Sequence, residues 1–371
     1  MRSRLSMIPA APDWRPASAR LAAAVAVVAG CATSSAVWAG REQAPTSARA
    51  HQEAAVAQAA ADPASYGVID WLRRMHLAAR RTNYVGTFVV TAAAGNLSSA
   101  RIWHACEADL QIERVETLSG PPRSTFRRND LVMTFLPEAK LIKSERRENF
   151  DVFPNLLGAS ESAIAELYGA RLLGKGRVAG IDADVVQLAP RDALRFGYRV
   201  WSERRSGLVL KLQTLDAEGR IVEQSAFSEL QLDAPVKTHA LAQMMNNTAG
   251  YRVERSELER TTAAAEGWSL RGLVAGFKPV SCYRRALTAR GAEPGERTMQ
   301  WTFSDGLATV SLFVEPYDAQ HPQQEGAMAL GATNTLTRRI PDAQGDWWLT
   351  AVGEVPPQTL EAFARNLVRN R

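Results

Sequence analysis

Residues 69–91 read IDWLRRMHLAARRTNYVGTFVVT, and the hydrophobic period changes half-way along. In the first half Ile69, Leu72, Met75 and Ala79 recur at spacings of three and four, which lines one face of a helix. In the second half Tyr84, Gly86, Phe88 and Val90 alternate with Val85, Thr87, Val89 and Thr91, a run that suits a pleated sheet. An amphipathic helix therefore hands directly to a strand. A helix laid on a curling antiparallel sheet encloses apolar space, so function is sought there.

Short strands continue from this unit. Gly95-Asn96 turns into a strand over 100–106, and Asn129-Asp130 is a two-residue hairpin turn between 124–128 and 131–136. An apolar cluster follows at Phe150, Val152, Phe153, Leu156 and Leu157, then a short helix over 160–168 with Ser160 as N-cap. This insert either covers the open face of the sheet or simply closes its core. Strands resume at 171–177, 184–188, 198–203, 208–215 and 220–232. The polar, helix-poor stretch 233–260 is expected to be a linker. Residues 261–371 then form a smaller α+β domain, with a hairpin over 298–314 turning at Asp305-Gly306, strands over 333–340 and 347–353, and a closing helix after Pro356-Pro357. The expected class is α+β, mostly antiparallel β.

With 371 residues, 46% of them hydrophobic, and a mean hydropathy of −0.20, the chain holds material for about two domains. The net charge is +5, but residues 1–39 carry four Arg against one Asp, and no basic run elsewhere is interleaved with aromatics as a nucleic-acid face requires. Residues 1–39 read as an export signal. An Arg-bearing start leads to the apolar run Leu21–Gly30, about half the roughly 20 residues needed to span a bilayer, and then to Val37-Trp38-Ala39. Cleavage after Ala39 competes with a lipobox reading of Val28–Cys31, in which Cys31 is acylated; both place the protein in the periplasm. Residues 40–65 form an Ala-rich leader with nothing large to bury. Cys106 and Cys282 match no zinc spacing and leave open either a bridge or two separate thiols.

Chemistry is sparse. Gly169–Lys175 falls short of a phosphate loop, because position 176 is Gly where a hydroxyl is needed. There is no G-x-S-x-G or H-E-x-x-H, and the five His residues are scattered singly. The expectation is a non-enzyme with no cofactor and no metal.

The blocks WLRRMHLAARRTNYVGTFVV (71–90), ARIWHA (100–105), LSGPPR (118–123), FLPEAK (135–140), VAGIDADVVQLAPRDALRFGYRVW (178–201) and GLVLKLQTLDAEGRIVEQSAFSEL (207–230) resemble the RseB/MucB family of sigma-E regulators, as do FSDGLATVSLFVEP (303–316), GATNTLTRRI (331–340) and AVGEVPP (351–357). The resemblance implies a half-open LolA-like β-barrel with covering helices over 66–232. It also implies a partner, the periplasmic region of an RseA/MucA-type anti-sigma factor shielded from site-1 proteolysis, and release by lipopolysaccharide or lipoprotein acyl chains. A homodimer stays open, and a LolA-type lipid or lipoprotein carrier is the alternative. On this reading the acyl pocket is lined by Phe88, Val90, Ile102, Phe135, Phe153, Leu156, Leu157 and Tyr168, each of which plain core packing explains equally well. The partner surface falls on Phe303, Ser304, Asp305, Gly306 and Leu307, where Asp305-Gly306 also reads as a mere turn.

Overall fold

The computed structural model describes residues 63–107, 110–146, 161–255, 258–286, 297–320, 323–343 and 345–370. The export signal, residues 40–62 of the leader and the pocket candidates Phe153, Leu156 and Leu157 lie outside these residues; the last three leader residues, Pro63–Ser65, form a short 3-10 turn.

The period change falls where the sequence puts it. Helix α1 (Val68–Arg81) is followed after two residues by β1 (Tyr84–Ala92). The Asp70 carboxylate accepts from the Gly67 N–H at 2.9 Å, and Arg80 and Arg81 lie at the helix's negative C-terminal end. The buried face is wider than the expected stripe, comprising Val68, Trp71, Leu72, Met75, Ala78 and Ala79, with Ile69 only half-buried.

Strand β1 sits mid-sheet between β2 (Leu97–Glu107) and β11 (Ile221–Leu232). From β2 the sheet runs through β3 (Leu110–Thr117), β4 (Ser124–Arg128), β5 (Leu131–Leu136) and β6 (Leu141–Arg146). From β11 it runs through β10 (Val209–Leu215), β9 (Gly197–Glu203), β8 (Ile181–Pro190) and β7 (Tyr168–Val178). These pairings are antiparallel, and the outermost strands do not meet, so the barrel stays open. A Cβ at Gly86 would come within 2.8 Å of Glu229 O and the Phe227 ring, so only glycine fits at that point of β1 opposite β11. Helix α2 (Glu161–Leu167) leads into β7.

The stretch expected as a helix-poor linker holds structure. Helix α3 (Thr238–Asn246) buries Leu241 and Met245 against Ala105, Ile112, Phe126 and Ile142 on the outer face of the sheet. Strand β12 (Arg252–Arg255) then pairs in parallel with β6, and β13 (Leu258–Arg260) already belongs to the second sheet. That sheet runs β13, β15 (Lys278–Ala286), β16 (Arg297–Ser304), β17 (Thr309–Pro316), β20 (Trp347–Gly353), β19 (Thr333–Ile340), β18 (Gly326–Leu330). Helix α4 (Pro357–Asn366) covers it with Leu360 and Phe363, and β14 (Trp268–Leu270) pairs with β21 (Leu367–Arg369). Cys106 and Cys282 are unbridged thiols.

Candidate functional site

The expected pocket candidates do not converge. Phe88, Val90, Ile102 and Tyr168 are buried together on the inner face, packed with Trp71, Leu72 and Met75 of α1. Phe135 is elsewhere. Directly opposed residues share a face, and the register runs from Ile102 to Val115 to Thr125 to Thr134. Thr134 therefore shares the inner face, while Phe135 points outward beneath α3 beside Phe126 and Ile142. Assigning Phe135 to the pocket was a one-residue parity slip, which flips a side chain to the other face.

The inner face also carries a buried polar row that sequence reasoning missed. Tyr84, His104, Glu113 and Arg127 follow one another across β1 to β4. Tyr84 stacks on His104 at 5.0 Å, and Arg127 donates to Glu113 at 3.2 Å. The His104 Nδ1 lies 2.9 Å from Thr82 O, and burial pushes the ring down to about 4. Burial also raises Glu113, a shift that the Arg127 charge opposes.

Of the five residues expected to present a partner surface, Asp305 and Leu307 reach into the other domain, where they are buried. Asp305 and Arg195 side chains are both 0% exposed, and Arg195 Nε donates to Asp305 Oδ2 at 2.9 Å. The Tyr168 hydroxyl donates to the same oxygen at 3.2 Å, while Asp305 Oδ1 accepts from the Leu307 and Ala308 N–H groups at 2.9 and 2.7 Å. Arg195 also donates to Asp192 and, at 2.8 Å, to Ala275 O. Every lone pair that desolvation would strand is thus answered. Burial, and then the Asp305 charge, hold the Tyr168 phenol well above its usual range, so it remains a donor.

The two domains exchange side chains around this pair. Leu307 belongs to the N-terminal core, and Leu194 packs against the C-terminal core. Gln358 and Thr359 of α4 donate to Ala193 O and Leu194 O at 2.6 and 2.7 Å. On the rim, Glu223 of β11 accepts from Ala332 N at 3.2 Å, and a Cβ at Gly331 (φ 62) would fall on that carboxylate. Phe303 packs in the C-terminal core against Phe363, with ring centroids 4.8 Å apart, and the Ser304 hydroxyl donates to Ala308 O at 2.9 Å.

Hollows open on the surface of the described residues, and two of them are well defined. One, of about 350 Å³, is lined by Gln187, Pro190, Asp192 and Leu215; the other, of about 370 Å³, by Asn83, Glu107, Lys237 and His239. Neither contains an expected pocket residue. No cluster of three or more His, Cys, Asp or Glu is placed to hold a metal among the described residues, and none of their helices is long and apolar enough to cross a membrane.

This architecture of an open sheet, a covering helix and a docked smaller sheet has counterparts. Residues 67–245 match the MucB/RseB N-terminal domain and residues 262–368 the MucB/RseB C-terminal domain. The chain belongs to the MucB/RseB family. The sigma factor AlgU regulatory protein MucB of Pseudomonas aeruginosa is 30% identical over 309 residues, which cover 80% of this chain and 90% of that one. The sigma-E factor regulatory protein RseB of Escherichia coli K12 is 26% identical over 84% of this chain and 92% of its own length. Among solved structures, the Pseudomonas aeruginosa MucA/MucB complex aligns with a TM-score of 0.64 at 28% identity, covering 82% of this chain and 99% of that one. A MucB structure in complex with MucA(peri) aligns with a TM-score of 0.62 at 27% identity, covering 81% and 98%. These relatives are regulatory binding proteins, and they include MucB bound to the periplasmic part of MucA.

Proposed function

We propose that this protein is a periplasmic negative regulator of a sigma-E-type factor. It binds the periplasmic region of an RseA/MucA-type anti-sigma factor, shields it from site-1 proteolysis, and is released by lipopolysaccharide or mislocalised lipoprotein. Export through residues 1–39 belongs to the same reading. The observation that carries it is the packing of Leu307, from a turn of the C-terminal domain, into the N-terminal apolar core. An acyl chain needs that same apolar space beside Phe88, Val90, Ile102 and Tyr168, so its entry competes with Leu307. Ejecting Leu307 strands the Arg195–Asp305 pair and loosens the domain junction. If the partner is held by the docked form, lipid weakens partner binding by the factor by which the partner weakens lipid binding.

The test mixes the purified protein with the anti-sigma factor's periplasmic segment and the site-1 protease. Cleavage is expected to slow when the protein is present and to recover when lipopolysaccharide is added. Cleavage at an undiminished rate sinks the regulator. Protection that lipid never relieves removes the sensing half, and transfer of bound lipid to acceptor vesicles marks a carrier instead.

A further inference from the structure

Sheet edges are ready-made templates for a foreign strand, and proteins blunt them with charge, bulges or brevity. Three edges of the two main sheets are blunted. Strand β7 carries Arg171, Lys175 and Arg177 and a register break between Leu172 and Gly174. Strands β12 (RVER) and β13 (LER) are four and three residues long and charged. Strand β18 is not blunted. Its sequence is GAMAL, it pairs in unbroken register with β19 on one side, and it meets no strand on the other among the described residues. All five of its residues are exposed, Met328 at 66%.

The end of this strand meets the N-terminal domain. Leu330 leads into Gly331, which abuts Glu223 and Ala92 of the N-terminal sheet. Ala92 pairs with Glu223, two residues from exposed Ile221, and neighbouring Thr91 pairs with Leu97, which is 64% exposed. Leu97 and Ile221 stand on opposite faces of that sheet, since Leu97 has the parity of Thr91 and Ile221 that of Glu223 and Ala92, so the exposed apolar pair that belongs to the edge itself is Met328 and Leu330.

We infer that β18 is the docking edge for an extended, uncharged, apolar segment of the anti-sigma factor, added as a further strand of the C-terminal sheet. This rests on the function proposed above. A second copy of the chain is the weaker occupant. Five residues give an edge about 17 Å long, and two rigid, twisted sheets meeting only there fall well short of the roughly 800 Å² per partner of a stable interface. An unfolded tail has no such limit, because it gains main-chain hydrogen bonds along β18 and apolar contact with Met328 and Leu330.

Successive residues of an edge strand aim their N–H groups alternately inward and outward. Ala327→Pro and Met328→Pro therefore remove one of each, and the outward one leaves the β18–β19 ladder whole. That variant should keep the wild-type unfolding midpoint yet bind the periplasmic segment of the anti-sigma factor from the same organism about 10- to 100-fold more weakly. A327K/A329K, which adds the missing guard charges, should do the same and serves if neither proline variant folds. Amides 326–330 of the wild-type protein should exchange more slowly once the segment is added. Unchanged affinity in the folded variants, or amides that stay exposed in the complex, overturns the docking edge and leaves the regulator reading standing. Failure of the wild-type protein to bind the segment overturns both. Protection of these amides that grows with protein concentration alone assigns the edge to a second copy and overturns the proposal.

Discussion

Asp305 is a carboxylate sealed from water, and it is stable there only because Arg195, Tyr168 and two backbone N–H groups occupy both its oxygens. Breaking a buried pair from one side leaves an uncompensated charge, so Asp305→Ala should lose about 3–5 kcal/mol in denaturant unfolding, against about 1 kcal/mol for Tyr168→Phe. A loss below 1 kcal/mol for the Ala variant would mean that water reaches Arg195. His104 supplies a pH signature. Its folded value is about 4 against an ordinary 6.5, because burial penalises the cation. As pH falls below 6.5 the unfolded chain takes up a proton that the folded chain refuses until about pH 4. Stability should therefore decline on acidification through that window, by up to ~1.4 kcal/mol per pH unit from this group. His104→Phe, which keeps a ring stacked on Tyr84, should flatten the profile there, and an unaltered slope would assign the acid sensitivity to other groups.

Helix α1 works as a wedge, and its two faces should respond unequally to truncation. Trp71 is fully buried, so Trp71→Ala should cost about 3–5 kcal/mol, while Leu77→Ala on the face that is 47% exposed there should stay within about 0.5 kcal/mol. Equal costs would mean that the helix is not seated as described. Leu72, Met75 and the alternation from Tyr84 to Val90 were legible because local period reports burial when one element face meets one core. The hairpin at Asn129, with its φ of 50, was legible because few residues accept that conformation. Strand β18 was not, since GAMAL has neither alternation nor β-branched residues and is a strand only through its pairing with β19. Helix α3 was missed because only Thr238, Leu241 and Met245 are buried along it. The parity of Phe135 is set by a register counted through three hairpins, and Arg195 meets Asp305 across 110 residues of chain. Such long-range pairings leave no local trace.

At the scale of the molecule, two cores that do not merge are held by a reciprocal exchange, Leu307 going one way and Leu194 the other, around one ion pair. The second sheet has its own buried set, which includes Trp268, Phe303 and Phe363, and Leu194 is the one N-terminal apolar side chain packed against it among the described residues. Cooperativity between the domains must then reside in the junction: the charge pair, the exchanged leucines, the α4 side chains on Ala193 and Leu194, and Glu223 on Ala332. Contacts of this kind couple, because removing one frees the groups that hold the next. The wild-type protein is therefore expected to unfold in one calorimetric transition. The double variant Asp305→Ala/Leu307→Ala should unfold in two and show a larger radius of gyration in solution scattering before either transition. A single transition with unchanged dimensions would mean that the remaining contacts suffice to lock the domains. Lipid entry into the N-terminal core could not then reach the C-terminal sheet by releasing that turn.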